Sequence, residues 1–137
     1  MGQQQLLLIV LSVIIVGVSV VVGINLFATS AGQANQDAIT QDLLTVGTRA
    51  QQWYRKPATL AGGGNSFALL ADDAAMTANL TWPTTNENGT YTVQTPGTAT
   101  QVVFRAVGVE DQDGNGTNVT IDLTATRDNV TINIVDR

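Results

Sequence analysis

The sequence predicts an α+β fold in which one long N-terminal helix, apolar in its first half and amphipathic in its second, packs on a C-terminal antiparallel sheet of about four strands. Three observations predict it. Residues 6–27 form an unbroken apolar run, residues 28–56 repeat apolar side chains every three or four positions, and the chain beyond residue 80 alternates apolar and polar residues between turn clusters. A length of 137 residues accommodates one ordinary domain and an appendage. The division read from these patterns is an apolar helix at 1–27, its amphipathic continuation at 28–56, a connecting loop at 57–80 and a sheet domain at 81–137.

The apolar run, LLLIVLSVIIVGVSVVVGINLF, holds 22 residues with no charge, and its only polar side chains are Ser12, Ser19 and Asn25. As a helix it is roughly 33 Å long, close to the hydrocarbon thickness of a bilayer. It is apolar all round, so lipid or other apolar protein must surround it. A signal peptide fits poorly, because Met1–Gln5 carries no basic side chain and the run is longer than the usual h-region of about 7–15 residues. A simple anchor is normally oriented by flanking Lys or Arg, and none occurs before Arg49. The expectation is that a basic leader is removed and that Met1 is a processed terminus; cleavage after Gly2, leaving Gln3 first, is the alternative. Gly17 and Gly23 flank a β-branched run, which makes this stretch a candidate for local unwinding.

In residues 28–56, Ile39, Leu43, Val46, Ala50 and Trp53 share one helical face. Arg49, Arg55 and Lys56 suit the carbonyl end of a helix and Pro57 comes next, so the helix is expected to end near Arg55. With the apolar run it would extend about 50 residues, on the order of 75 Å. Gly62-Gly63-Gly64 reads as a flexible turn; a phosphate cradle would need the Lys and Ser/Thr of a P-loop. One short helix is expected within residues 67–78, FALLADDAAMTA.

The sheet domain is clearest at its end. Val119, Ile121, Leu123 and Ala125 alternate on one strand, and Val130, Ile132 and Ile134 on the next, joined around Arg127-Asp128-Asn129. Strands at about 90–95 and 101–109 complete the sheet, with Asn88-Gly89 and Pro96-Gly97 as turns. The amphipathic helix face, including Trp53, is the expected cover.

Composition excludes much chemistry. There is no Cys and no His, so disulfides, thiol nucleophiles, imidazole bases and the common zinc and haem ligand sets are absent. No charged residue precedes Asp37, so the net charge of −5 lies entirely in residues 37–137, and six basic residues leave no footprint for nucleic acid. Asp72-Asp73 are adjacent acids on a polar segment, and no catalytic arrangement emerges; the chain does not read as an enzyme. One liganding pattern stands out. Asp111, Asp113, Asn115 and, further on, Asp122 match the oxygen spacing of an EF-hand-like calcium loop, although a strand-flanked acidic turn gives the same pattern. Asn79, Asn88, Asn115, Asn118 and Asn129 each begin an N-x-Thr sequon, a glycosylation signature that Asn/Thr-rich sheet composition also produces.

The uncharged run beginning after Gln5 and passing into an amphipathic helix and a sheet resembles the mature subunits of bacterial type IV pilins and pseudopilins. The resemblance implies cleavage by prepilin peptidase and a methylated hydrophobic terminus, a part Met1 would take. Gln5 falls where that family usually has a Glu that neutralises a neighbouring subunit's terminal amine; Gln5 can only hydrogen-bond it, which implies a differently arranged contact. The family often has a Pro-containing segment that melts in assembled filaments; Gly17–Gly23 is the corresponding region here, without Pro. The resemblance further implies a homopolymeric filament subunit, handled by a pilus assembly machinery, held in the inner membrane before assembly and exposed on the cell surface afterwards. It also lends support to calcium in the sheet loop. A major pseudopilin of a type II secretion system is the near alternative, and a membrane-anchored binding module the alternative from another class. An archaeal pilin or archaellin would place an all-β head almost directly after the apolar helix, whereas here the amphipathic stretch to Trp53 intervenes.

Overall fold

A computed structural model describes residues 2–137. The expected role of Met1 lies outside the described residues.

The fold is the expected α+β arrangement. Helix α1 runs without interruption over Gly2–Arg55, 54 residues. A single 3-10 turn, Ala58–Leu60, comes next, then helix α2, Asp73–Leu80. Four strands complete the chain: β1 Gly89–Thr95, β2 Gln101–Gly108, β3 Thr120–Thr126 and β4 Val130–Asp136. They form an antiparallel meander in the order β1-β2-β3-β4. The change of sequence pattern after residue 27 is therefore no break in the backbone.

Period decides which part of α1 enters the core. Gly32, Asn35, Ile39, Leu43, Val46, Gly47, Ala50, Trp53 and Tyr54 are its buried residues, a stripe advancing by three or four. Opposite them lie Val102, Phe104 and Ala106 of β2 and Ile121, Leu123 and Ala125 of β3, all fully buried. These two strands alternate strictly between buried positions and half-buried or exposed ones, so one sheet face meets the helix and the other meets solvent. Phe67, Leu70, Met76 and Leu80 close one side of the core.

Four expectations are corrected. The short helix begins at Asp73 rather than near Phe67, because the Asp72 side chain caps it by accepting from the Ala75 N–H at 2.8 Å. Phe67 and Leu70 instead sit in a turn that anchors to the β1–β2 connection, Phe67 N–H donating to Thr98 at 2.9 Å and Gly97 N–H to Leu70 at 2.9 Å. The glycine run is not a free hinge. The N–H groups of Gly63, Gly64 and Asn65 donate to the carbonyls of Trp53, Lys56 and Tyr54 at 2.8, 3.0 and 2.8 Å, capping the end of α1. Arg49 does not serve its own helix end. Its guanidinium donates to the Leu80 and Thr81 carbonyls at 3.1 and 3.0 Å and lies 5.3 Å from the Trp82 ring centre, so it neutralises the end of α2. Ile134 remains 37% exposed, since the helix lies over β2 and β3 and reaches β4 only along Val130 and Ile132.

Candidate assembly surface

Among the described residues, the apolar half of α1 has no cover. An 18-residue window of this helix has mean hydropathy 3.1 and is 0% buried. Leu7 is 69% exposed, Ile15 57% and Phe27 81%, so the exposure extends along the whole run and around its circumference. Even its hydroxyls turn inward: Ser12 donates to the Leu8 carbonyl at 2.7 Å and Ser19 to the Ile15 carbonyl at 2.8 Å. Seventeen large apolar side chains are left for a partner or a bilayer, worth on the order of 20 kcal/mol if covered. Gln5 sits exposed in the first turns of the helix. The backbone is helical through Gly17 and Gly23, and neither has anything within 4 Å of where a Cβ would stand.

The rod is gripped where it enters the head. Asn35 occupies a stripe position one turn before Ile39, buried to 8% exposure. Its Nδ2 donates to the Asn88 carbonyl at 2.7 Å, and its Oδ1 accepts from Val109 at 3.0 Å and Glu110 at 3.4 Å. One amide thus ties the helix to the segment entering β1 and the segment leaving β2, which lie side by side at one end of the β1–β2 pair. Two glycines allow the approach: a Cβ on Gly108 would stand 2.0 Å from Asn35 Oδ1, and one on Gly32 would stand 2.6 Å from the Gln112 Cα.

A second polar junction centres on Asp42. Its Oδ2 accepts from the side-chain amides of Asn86 and Asn88, each at 2.9 Å, and from the Tyr91 hydroxyl. Burial pushes this carboxyl up, but the hydrogen bonds from Asn88, Tyr91 and Asn86 outweigh it and hold it below the ordinary carboxylate range. Tyr91 moves the other way: burial, the hydrogen bond to Asp42 and its negative charge all favour the neutral phenol. The sequence pointed to neither junction; the only available signal was a polar residue, Asn35, standing in register with the apolar stripe.

The residues aligned as a calcium loop are not brought together. Asp111, Asp113 and Asn115 lie in the β2–β3 loop, but Asp122 is on β3, where its two oxygens receive Arg105 Nε and Nη2 at 2.7 and 2.8 Å. The pair raises the Arg105 pKa. A strand that reverses direction after the loop carries Asp122 away, and Asp136 of β4 arrives instead, accepting from Asn115 at 2.9 Å and from the Thr117 hydroxyl. The remaining oxygens serve the loop itself. Asp111 accepts from the Gly114 and Gly116 N–H groups, both at 2.7 Å, and Asp113 from Asn115 at 3.0 Å. These bonds, Gly116 first, hold the Asp111 carboxyl below its usual range, and Thr117 and Asn115 do the same for Asp136. The donor set does not fit calcium as the spacing aligned it. Among the described residues, no three or more His, Cys, Asp or Glu side chains are grouped to hold a metal ion.

The five sequons occupy different settings. Asn88, Asn115 and Asn118 spend their side-chain nitrogens on Asp42, on Asp113 and Asp136, and on the Gly108 carbonyl. Asn79 is exposed near the end of α2 and Asn129 is exposed in the β3–β4 turn. Comparison of the chain with protein-family models, curated proteins and solved structures gives no match.

Proposed function

We propose that this chain is the structural subunit of a type IV pilin-like filament, polymerising through the apolar half of α1. The observation that carries the reading is the continuity of a fully exposed apolar rod with the helix that forms the core of the head. Such a rod is stable only in lipid or in a bundle of like helices, and the same segment suits both in turn. The subunit would wait in the inner membrane, after processing by a prepilin peptidase, and pass into the bundle with its polar sheet face outward as an extracellular filament. Transfer exchanges lipid contacts for helix contacts, so packing and hydrogen bonding, rather than water exclusion, decide it. Gln5 would meet a neighbour's terminus by hydrogen bonding, and unwinding between Gly17 and Gly23 would let the bundle adjust. No step of this role requires catalysis.

The test is electron microscopy of material sheared from cells expressing the chain, beside a Val16→Asp variant. Filaments are expected for the parent and none for the variant, while the head of the variant keeps its fold. Filaments of unchanged number with Val16→Asp, or a parent chain found only as detergent-soluble monomers in cells with an intact assembly machinery, would overturn the proposal.

A further inference from the structure

The two edges of the sheet are finished differently. On β1 the outward N–H groups of Gly89, Tyr91 and Val93 are all taken, by the Asn86 side chain at 3.1 Å, the Thr84 carbonyl at 2.7 Å and the Asp73 carboxylate at 2.6 Å. That edge is sealed. On β4 the hairpin bond from Thr126 N–H to the Asn129 carbonyl, 2.9 Å, sets the alternation of the ladder. Thr131 and Asn133, paired with Thr124 and Asp122, bond β3, so the backbone groups of Ile132 and Ile134 point off the sheet. Among the described residues these groups meet no other segment.

The usual protections of an edge are also missing. Residues 130–135, VTINIV, contain no charge and no proline, and the ladder is irregular only beyond Ile121, at the far end. Ile134 and Val135 stand 37% and 49% exposed on opposite faces of this strand.

We infer that the free edge of β4 pairs with β4 of a second copy of the chain, antiparallel and centred on Asn133. That register is self-complementary. Ile132 of each copy meets Ile134 of the other, and both have outward N–H and C=O groups, so the narrow hydrogen-bonded pairs form where donors and acceptors are free. Thr131 meets Val135. The two Asp136 carboxylates, each opposite Val130, stand about 20 Å apart, so no like charges oppose. Continuous head-to-tail addition is blocked because β1 offers no free edge, which leaves the symmetric pair.

The symmetry states what is joined. A two-fold axis normal to the sheet reverses α1, which lies on it, so the paired copies point their apolar halves in opposite directions. Such a pair cannot be two neighbours in one bundle of parallel helices. Granting the filament reading, it links two filaments lying side by side, where a weak contact repeated along their length gains by multivalency. The strand contact itself does not depend on that reading.

Single cysteines test it cleanly, because the chain has none. In full-length protein in detergent with a mild thiol oxidant, Asn133→Cys is expected to form a disulfide dimer at least about tenfold faster than Thr131→Cys. Both residues are exposed on the same strand, but in this register the two Thr131 Cα atoms are about 14 Å apart, too far to bridge. A mixture of Thr131→Cys with Val135→Cys is expected to cross-link as heterodimer. Equal rates for Asn133→Cys and Thr131→Cys, or no dimer from either Asn133→Cys or the mixture, would overturn the inference. So would Asn133→Cys in whole cells cross-linking to another protein and never to itself. Loss of filaments with cross-linking retained would instead count against the filament reading alone.

Discussion

Asn35→Ala removes the side chain that ties α1 to both the entry to β1 and the exit from β2, and its cost can be worked from three bonds. The substitution deletes the donor to the Asn88 carbonyl at 2.7 Å and the acceptor for the Val109 N–H at 3.0 Å; the 3.4 Å contact to Glu110 adds little. Asn35 is 8% exposed, so its former partners are left where water reaches them poorly, and each unpaired backbone group costs about 1–3 kcal/mol. Partial rehydration of the Asn88 side brings the expected loss to about 2–4 kcal/mol, a large share of the roughly 5–15 kcal/mol of an ordinary domain. Denaturant unfolding in detergent, monitored through Trp53 and Trp82 fluorescence, measures it. Asn35→Asp keeps the acceptor for Val109 but replaces the donor with a charge facing the Asn88 carbonyl, and is expected to be no better than the alanine. A loss below about 0.5 kcal/mol for Asn35→Ala would refute the reasoning, since that is the range of surface substitutions that touch nothing.

The same geometry sets three further outcomes. Gly32→Ala is expected to destabilise by about 1–3 kcal/mol despite the better helix propensity of Ala, because its Cβ would stand 2.6 Å from backbone of the β2–β3 loop; Gly17→Ala, with open space around it, is expected to slow amide exchange in α1 instead. The Asp42–Tyr91 pair gives stability a window in pH. Asp42 is lowered from 3.8, so its contribution is full above about pH 4 and fades as pH falls through the folded value; Tyr91 is raised from 10.0, so its contribution is full below about pH 10 and fades as pH rises beyond it. Tyr91→Phe should flatten the alkaline limb in a pH series of melting curves, and an unchanged limb would show that the phenol is not its source. Calcium or a chelator is expected to leave the melting temperature of the head unmoved, because Asp122 is held by Arg105 and the loop oxygens are already taken; a calcium-dependent rise of several degrees would contradict this.

The legible parts of the fold are those written in short-range pattern. Ile39, Leu43, Val46, Ala50 and Trp53 declare their face by spacing alone, and all are buried; the strands around Phe104, Ile121 and Leu123 declare theirs by alternation. The start of α2 is not legible in this way, because FALL and DAAM are both helix-compatible. What separates them is that Phe67 and Leu70 bond the β1–β2 connection, some 30 residues further along the chain. The metal pattern misleads for a related reason: a spacing that brings oxygens together on an EF-hand places Asp122 on a strand, beside Arg105.

The sequence by itself determined that this protein has two parts of opposite polarity, an uncharged run of 22 residues and a remainder that carries every charge, since the hydropathy of each side chain is local to it. Tertiary structure alone decided which polar groups are paired. It brought Asn35 to Asn88 and Val109, Asp42 to Tyr91, and Asp73 to the edge of β1 while leaving β4 open. Hydrogen bonds depend on distances of a few tenths of an ångström between residues tens of positions apart, and no periodicity in a chain carries that information.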